Sequence, residues 1–267
     1  MKARGGDGAI NNAVNVTSYN LCGLEGLGHF VLTELCTPAL SRGVIFLQEH
    51  WLSPGKMAQL ENFSPSYLTF GVSGMEEKLS AGILRGRPFG GAAILVHSSL
   101  GAATTPLLVT ERLNVVRIFN VLFINVYCPT RSLGNRAITA SMLGEIETVL
   151  GMCKDCEVVM GGDFNMDLRD VTPDTKQVID FMEKHGLILA YHQIKTNCEF
   201  TFFNSSGHKS MIDFFLLSSP LTSKISGHAV NDDMVNFSDH HPLTVAMSRE
   251  IFNTGIQDMS VEGVPPP

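Results

Sequence analysis

The sequence predicts an α/β protein built as one large domain, a well-buried two-layer sheet covered by helices. Three observations carry that expectation. The chain has 267 residues, 44% hydrophobic and 17% charged, enough to fill a sizeable core. Apolar strand-like runs at 44–49, 67–72, 91–97, 115–127, 157–162, 212–218 and 242–247 are spread evenly and alternate with helical windows at 28–40, 136–152 and 174–185. Polar groups fall at the edges of several runs, where α/β sandwiches place catalytic residues.

In chain order, residues 1–13 hold three glycines and two asparagines and read as a flexible leader before a domain over 14–249. Val14 to Asn20 is a short strand ending on an amide, and Val44 to Glu49 a buried strand ending on a carboxylate. Gly90-Gly91 is a turn signal beside the next strand. Val115 to Tyr127 is the best apolar stretch, but Arg117, Asn120 and Asn125 break it well short of the roughly 18 residues of a membrane span. In the last helical window Val178, Phe181 and Met182 recur at i, i+3 and i+4, and Gly186 supplies a stop. Asn204 to Gly207 reads as a hairpin tip, and 250–267, ending in Val264-Pro265-Pro266-Pro267, as a tail or truncated linker. No repeat of solenoid period occurs.

Six cysteines, at 22, 36, 128, 153, 156 and 198, form no dense framework, so reduced thiols in cytosol or nucleus are expected. Cys153-Lys154-Asp155-Cys156 has zinc-knuckle spacing but lacks a second ligand pair, which favours chance spacing in a helix-to-strand connection. The first twelve residues lack an apolar signal core, which argues against secretion. The net charge of −7 counts against tight, independent binding of nucleic acid. Cationic pairs do gather near the motifs, at Arg85 and Arg87, Arg131 and Arg136, and His208 with Lys209; solvated loop charge and a role at the site are equally good readings of them.

The most informative run is Gly161-Gly162-Asp163-Phe164-Asn165, after the apolar Val158-Val159-Met160. Residues i and i+2 of a strand share a face, so Asp163 and Asn165 are expected to project together from its end, as a site handling phosphate and a nucleophilic water requires. Ordinary turn formation is the alternative for that run alone. Four other segments match it: Ser18-Tyr19-Asn20, Gln48-Glu49, Ser210-Met211-Ile212-Asp213, and Ser238-Asp239-His240-His241-Pro242.

With Val126-Tyr127-Cys128-Pro129-Thr130, these motifs stand in an order that resembles the endonuclease/exonuclease/phosphatase superfamily over roughly residues 14 to 248. Gln48-Glu49-His50-Trp51-Leu52, Arg87-Pro88-Phe89-Gly90-Gly91, Phe200 to Asn204 and Ser210 to Phe214 look most like the apurinic-type endonuclease domain of LINE-type (non-LTR) retrotransposons. The resemblance implies a four-layer α/β sandwich of two packed mixed β-sheets flanked by helices. It also implies a metal-dependent phosphodiesterase that nicks DNA with Mg²⁺, or Mn²⁺ in its place, at a nuclear site of action and alongside a reverse transcriptase region of a longer polyprotein.

Each chemical need then falls to a motif residue. Glu49 is the expected Mg²⁺ ligand, Asn20 holds the metal region or a phosphate oxygen, and Asp239 is a second acid near the metal. Asp163 positions or deprotonates the attacking water, and Asn165 donates to the scissile phosphate without like-charge repulsion on Asp163. His240 acts as general base or as a cationic clamp, oriented by Asp213. Tyr127 gives the phosphate a phenolic hydrogen bond, against the alternative of a core tyrosine, while Ser210 braces the loop carrying Asp213 and His241 is structural. Alternatives are an abasic-site repair endonuclease, which would more often carry arginine near Ser210 and tryptophans at Phe202-Phe203, a phosphoinositide phosphatase or sphingomyelinase, and an inactive nuclease-fold binding module.

Overall fold

The computed structural model describes residues 13–36, 43–82, 89–132, 134–231 and 236–252. The leader up to Asn12, the end of the 28–40 helical window, Arg85, Arg87 and Pro88, and the tail from Asn253 lie outside the described residues. The strands are β1 (Ala13–Asn20), β2 (Val44–Gln48), β3 (Tyr67–Val72), β4 (Ala92–His97), β5 (Thr104–Val109), β6 (Leu113–Ile118), β7 (Val121–Tyr127), β8 (Glu157–Asp163), β9 (Leu187–Leu189), β10 (Phe202–Phe203), β11 (Lys209–Ser210), β12 (Asp213–Ser218), β13 (Ile225–Val230) and β14 (Leu243–Ser248). The helices are α1 (Leu27–Leu35), α2 (Ala58–Glu61), α3 (Glu76–Ser80), α4 (Arg136–Met152), α5 (Pro173–His185) and α6 (Ala190–Gln193).

Two six-stranded sheets result, in the orders β13-β14-β1-β2-β4-β3 and β5-β6-β7-β8-β12-β9, with β10-β11 as a separate hairpin. Each sheet has one parallel pair among antiparallel neighbours, β1 with β2 and β7 with β8. One core lies between the sheets, where Phe46 and Phe215 meet at 6.0 Å between ring centroids. A second core lies under α4 and α5, and a third under α1 and α2. These are the four layers the resemblance implies.

Local chemistry accounts for the elements. All five residues of β2 are buried, as expected of a strand covered on both faces. The run 115–127 is two strands, because Phe119 and Asn120 form a hairpin turn that pairs Ile118 with Val121. Helix α5 opens with a reciprocal Thr172–Thr175 capping box and Pro173, and ends at Gly186 in the left-handed region at φ 62°. Sheet-edge strands β5 and β13 carry weak sequence patterns: Pro106 sits in one and Gly227 in the other, and edge positions tolerate both. The packed domain also runs past the expected limit at 249. Ile251 and Phe252 are buried, and Phe252 packs near Phe119 and Phe123 at 5.8 and 6.2 Å.

His228 in β13 is buried, and neither ring nitrogen has a hydrogen-bond partner. Burial lowers its pKa to about 4. The unfolded chain takes up a proton below its ordinary value of 6.5 while the folded chain does not until about pH 4. Stability conferred by this neutral imidazole is therefore complete above pH 6.5 and lost as pH falls between those limits. The slope of urea-unfolding free energy over this window should flatten in His228→Leu, by a total on the order of 2–3 kcal/mol.

Candidate active site

The carboxyl ends of the two parallel pairs open onto one cleft of about 750 Å³. β1 ends on Asn20, β2 runs into Glu49, β7 ends on Tyr127 and β8 on Asp163. Register fixes their heights: Tyr127 lies opposite Asp163, and Asp163 opposite Asp213 at the start of β12. The loop before β14 adds Asp239 and His240. Glu49, Asn165, Ser210, Asp239 and His240 line the opening, and Asn20, Tyr127, Asp163 and Asp213 lie behind them in hydrogen-bond contact with the lining residues, although the set spans more than two hundred positions.

Asp163 and Asn165 come together by a different route from the one their spacing implies. β8 stops at Asp163, and Asn165 is in a turn with φ 52° rather than on the same strand face. The Asn165 backbone N–H donates to Asp163 Oδ1 at 2.8 Å, and its Nδ2 donates to Cys128 O at 2.8 Å and Asp163 Oδ2 at 3.2 Å. The two preceding glycines permit close approach. A Cβ on Gly161 would sit 2.3 Å from the Phe215 ring, and one on Gly162 only 1.9 Å from Val126 O.

Asn20 bridges the two halves of the site. Its Nδ2 donates to Glu49 Oε1 at 3.1 Å and Asp163 Oδ2 at 2.9 Å, while its Oδ1 accepts the Cys22 N–H at 3.1 Å. The amide therefore tethers two carboxylates and turns its oxygen to the backbone, where it is poorly placed to ligate a cation. Tyr127 directs its hydroxyl proton to Glu49 Oε1 at 3.0 Å. Burial and the Glu49 charge raise its pKa, so it remains a donor.

Buried His240 is linked through Nδ1 to Asp213 Oδ2 at 2.8 Å, and Nε2 stands 3.9 Å from both Asp163 Oδ2 and Asp239 Oδ1. Those longer separations exceed hydrogen-bond range, so Nε2 is left facing the cleft. Burial opposes charge on the imidazole, but Asp213 and Asp163 outweigh it and raise the pKa. Burial likewise raises Asp163, with the His240 charge pulling the other way. The acid is thus more basic than an ordinary carboxylate beside a histidine that favours its cationic form.

Sequence reasoning missed several supporting residues. Thr201 braces the Asp213 segment, its Oγ1 accepting from the Ile212 and Asp213 N–H groups at 3.3 and 3.0 Å. Asp167 accepts the Met211 N–H at 3.0 Å and forms a two-point pair with Arg169. Ser210, expected to brace the same loop, accepts the Thr201 N–H through its carbonyl at 3.0 Å and also lines the cleft, where it could meet substrate. Ser238 ties Asn20 O to the His240 backbone, and Trp51 Nε1 donates to Glu49 Oε2 at 3.0 Å. Only the strained backbone could have flagged part of this group, and sequence does not display it. Among the described residues five non-glycines have positive φ, and four of them, Cys22, Glu49, Trp51 and Asn165, line the cleft. His241 packs against Phe200 and Phe203, away from the chemistry.

The cleft wall suits a hard cation. Four carboxylates line it; Asp167 and Asp170 are paired with Arg169 and Arg131, whereas Glu49 and Asp239 have no lysine or arginine partner among the described residues. Two uncompensated carboxylates at an open wall are the donor set Mg²⁺ accepts. Asp163, Asp213 and His240 form the tightest group of ligating atoms, within 4.8 Å of one another, but they are buried and already joined by the His240–Asp213 bond. Around the rim stand Arg131, Arg169, His208 and Lys209, the two arginines paired with carboxylates of the same wall, so that basic side chains border the opening of an acidic protein. Arg136 is paired with Asp174 at 2.8 Å, away from that rim.

A family model described as endonuclease-reverse transcriptase matches residues 121–244. No curated protein matches the sequence. Among solved structures, the AP endonuclease LMAP from Leishmania major superposes with a TM-score of 0.70 at 14% identity, covering 89% of this chain and 88% of that one. The 3′ phosphatase NExo from Neisseria, bound to a product DNA hairpin, superposes at 0.67 with 17% identity over 88% of this chain and 99% of its own. The endonuclease domain of TRAS1, a telomere-specific non-LTR retrotransposon, superposes at 0.64 with 16% identity over 88% and 98%. In its two packed mixed sheets flanked by helices the chain has the fold of these solved structures, and over residues 121–244 its sequence is similar to the endonuclease-reverse transcriptase family.

Proposed function

We propose that the protein is a divalent-cation-dependent endonuclease that nicks DNA, of the target-opening kind found in non-LTR retrotransposons. The observation that carries this reading is the convergence of Asp163, the His240–Asp213 pair and the Glu49–Asn20 pair at one cleft bordered by Arg131, Arg169 and Lys209. Asp163 aligns the attacking water and takes its proton, a task suited to a carboxylate whose basicity burial raises. Asn165 and Asn20 hold Asp163 in place through three hydrogen bonds to its two oxygens. His240 presents a cationic Nε2–H to a phosphoryl oxygen, while Asp213 fixes its tautomer and charge. A cation held by Glu49 and Asp239 would supply positive charge for the phosphoryl oxygens and the leaving group. Water attack in this alignment expels the 3′ oxygen, leaving a 3′-hydroxyl able to prime a reverse transcriptase.

Supercoiled plasmid should become nicked with Mg²⁺ and stay intact in EDTA; equal nicking in both would remove the cation from the reading. Asp163→Ala and His240→Ala should each lower the nicking rate by roughly a hundredfold or more, about 3 kcal/mol, and the double variant by much less than the product. In cation-free protein, the His240 ring signals followed by nuclear magnetic resonance should remain those of imidazolium above neutral pH. Asp213→Asn should bring that titration downward, because it removes the strongest of the charges opposing burial. Nick positions mapped on long undamaged duplexes should scatter with a preference for deformable steps, since Lys209 and His208 are the only basic residues of the β10–β11 hairpin. Cleavage confined to abasic sites would assign the protein to repair instead.

A further inference from the structure

Glu49 is held by three neutral donors. Asn20 Nδ2 and Tyr127 Oη both donate to Oε1, at 3.1 and 3.0 Å, and Trp51 Nε1 donates to Oε2 at 3.0 Å. A carboxylate offers about two acceptor positions on each oxygen, so Oε1 is filled and Oε2 keeps one. Trp51 is the chain's only tryptophan and is itself firmly placed. Its backbone N–H donates to Gly90 O at 3.1 Å, and its ring lies so close to Gly23 that a Cβ there would come within 2.7 Å of it. Both Glu49 and Trp51 are held at φ 52°, a conformation such residues adopt only when their surroundings impose it. The carboxylate therefore cannot readily turn to offer both oxygens.

We infer that Tyr127 is a positioning residue that sets cation selectivity: with Asn20 it fills Oε1, while Trp51 holds Oε2 in place, and this makes Glu49 a one-oxygen ligand, favouring Mg²⁺ over Ca²⁺. The inference rests on the cation reading proposed above. Mg²⁺ keeps several waters and needs few protein oxygens, whereas Ca²⁺ gathers about 6–8 and commonly takes both oxygens of one carboxylate. A neutral donor suits this task better than a lysine or arginine, because it occupies an acceptor position without cancelling the charge that draws the cation.

The test uses Mn²⁺ bound to the intact chain, followed by electron paramagnetic resonance and displaced by Mg²⁺ or Ca²⁺. In the native protein Mg²⁺ should displace Mn²⁺ at roughly tenfold lower concentration than Ca²⁺. Trp51→Phe keeps a ring over Gly23 but removes the donor, and Tyr127→Phe frees a position on Oε1. Tyr127→Phe should bring the two displacement concentrations to within about threefold, Trp51→Phe, which leaves Oε1 filled, should keep the native ratio, and Glu49→Gln should abolish binding. Mn²⁺ binding with an unchanged Mg²⁺/Ca²⁺ ratio in Tyr127→Phe, or with a ratio that collapses in Trp51→Phe alone, would overturn the inference and leave the cation reading standing. Failure of the native protein to bind Mn²⁺ would overturn both.

Discussion

Gln48 Nε2 donates to Asn125 Oδ1 at 2.7 Å across the space between the two sheets, one residue before Glu49 and two before Tyr127. The same Gln48 nitrogen donates to Ser18 Oγ, and Asn125 Nδ2 reaches Leu47 O, Ala93 O and Asn114 Oδ1. These groups are buried, so each hydrogen bond offsets a desolvation cost that an unpaired amide would leave in full. Apolar side chains between two sheets tolerate sliding, since dispersion and burial are not directional. Hydrogen bonds are directional, so although Gln48 Oε1 is buried without a partner among the described residues, this belt sets the parallel pair of one sheet at a fixed height against that of the other. The distances among Asn20, Glu49 and Asp163 depend on that height.

The site above the belt concentrates features that folding alone would disfavour. Two buried acids and a histidine lie within a few ångströms of one another, and four residues with strained backbones stand around them. The Asp213 and His240 segments are braced by neighbours with no evident chemistry of their own: Asp167 and Thr201 hold the backbone of residues 211–213, and Ser238 and Asn236 hold that of His240. Glycines 161 and 162 belong to the same pattern, because they let β8 lie closer to Phe215 and to β7 than any side chain would allow. Such an arrangement fixes charge and dipoles in advance of a substrate, which is the condition for electrostatic stabilisation without reorganisation.

Charge is distributed rather than merely negative. The formal −7 of the chain suggests a poor partner for a polyanion, yet Arg131, Arg169, His208 and Lys209 all border the opening. Arg131 and Arg169 are held by carboxylates that also line the wall, and Lys209 lies over the Phe200 ring at 4.2 Å. These partners orient the cations without removing them from the surface. Local potential, and not net charge, is what a phosphate backbone meets at a concave opening.

The sequence by itself determined the α/β class, the three main helices to within a residue or two where they are described, and the identity of the acids, amides and histidine at the strand ends. Period, caps and residue chemistry are local, and they survive in a one-dimensional string. It was misleading where an apparent local rule was overridden: Asp163 and Asn165 meet through a turn instead of a shared strand face, and 115–127 folds back on itself at Phe119. Edge strands β5 and β13 were hidden because one face and one edge of each are free of the sheet's demands. What only the tertiary structure decided is how each side chain is used. Asn20 became a tether between carboxylates, Tyr127 a donor to Glu49, Thr201 a brace and Trp51 a clamp. Hydrogen bonds are short and directional, so these roles depend on angstrom-scale placement of residues up to 143 positions apart, as Asn20 and Asp163 are, and no local pattern carries that information.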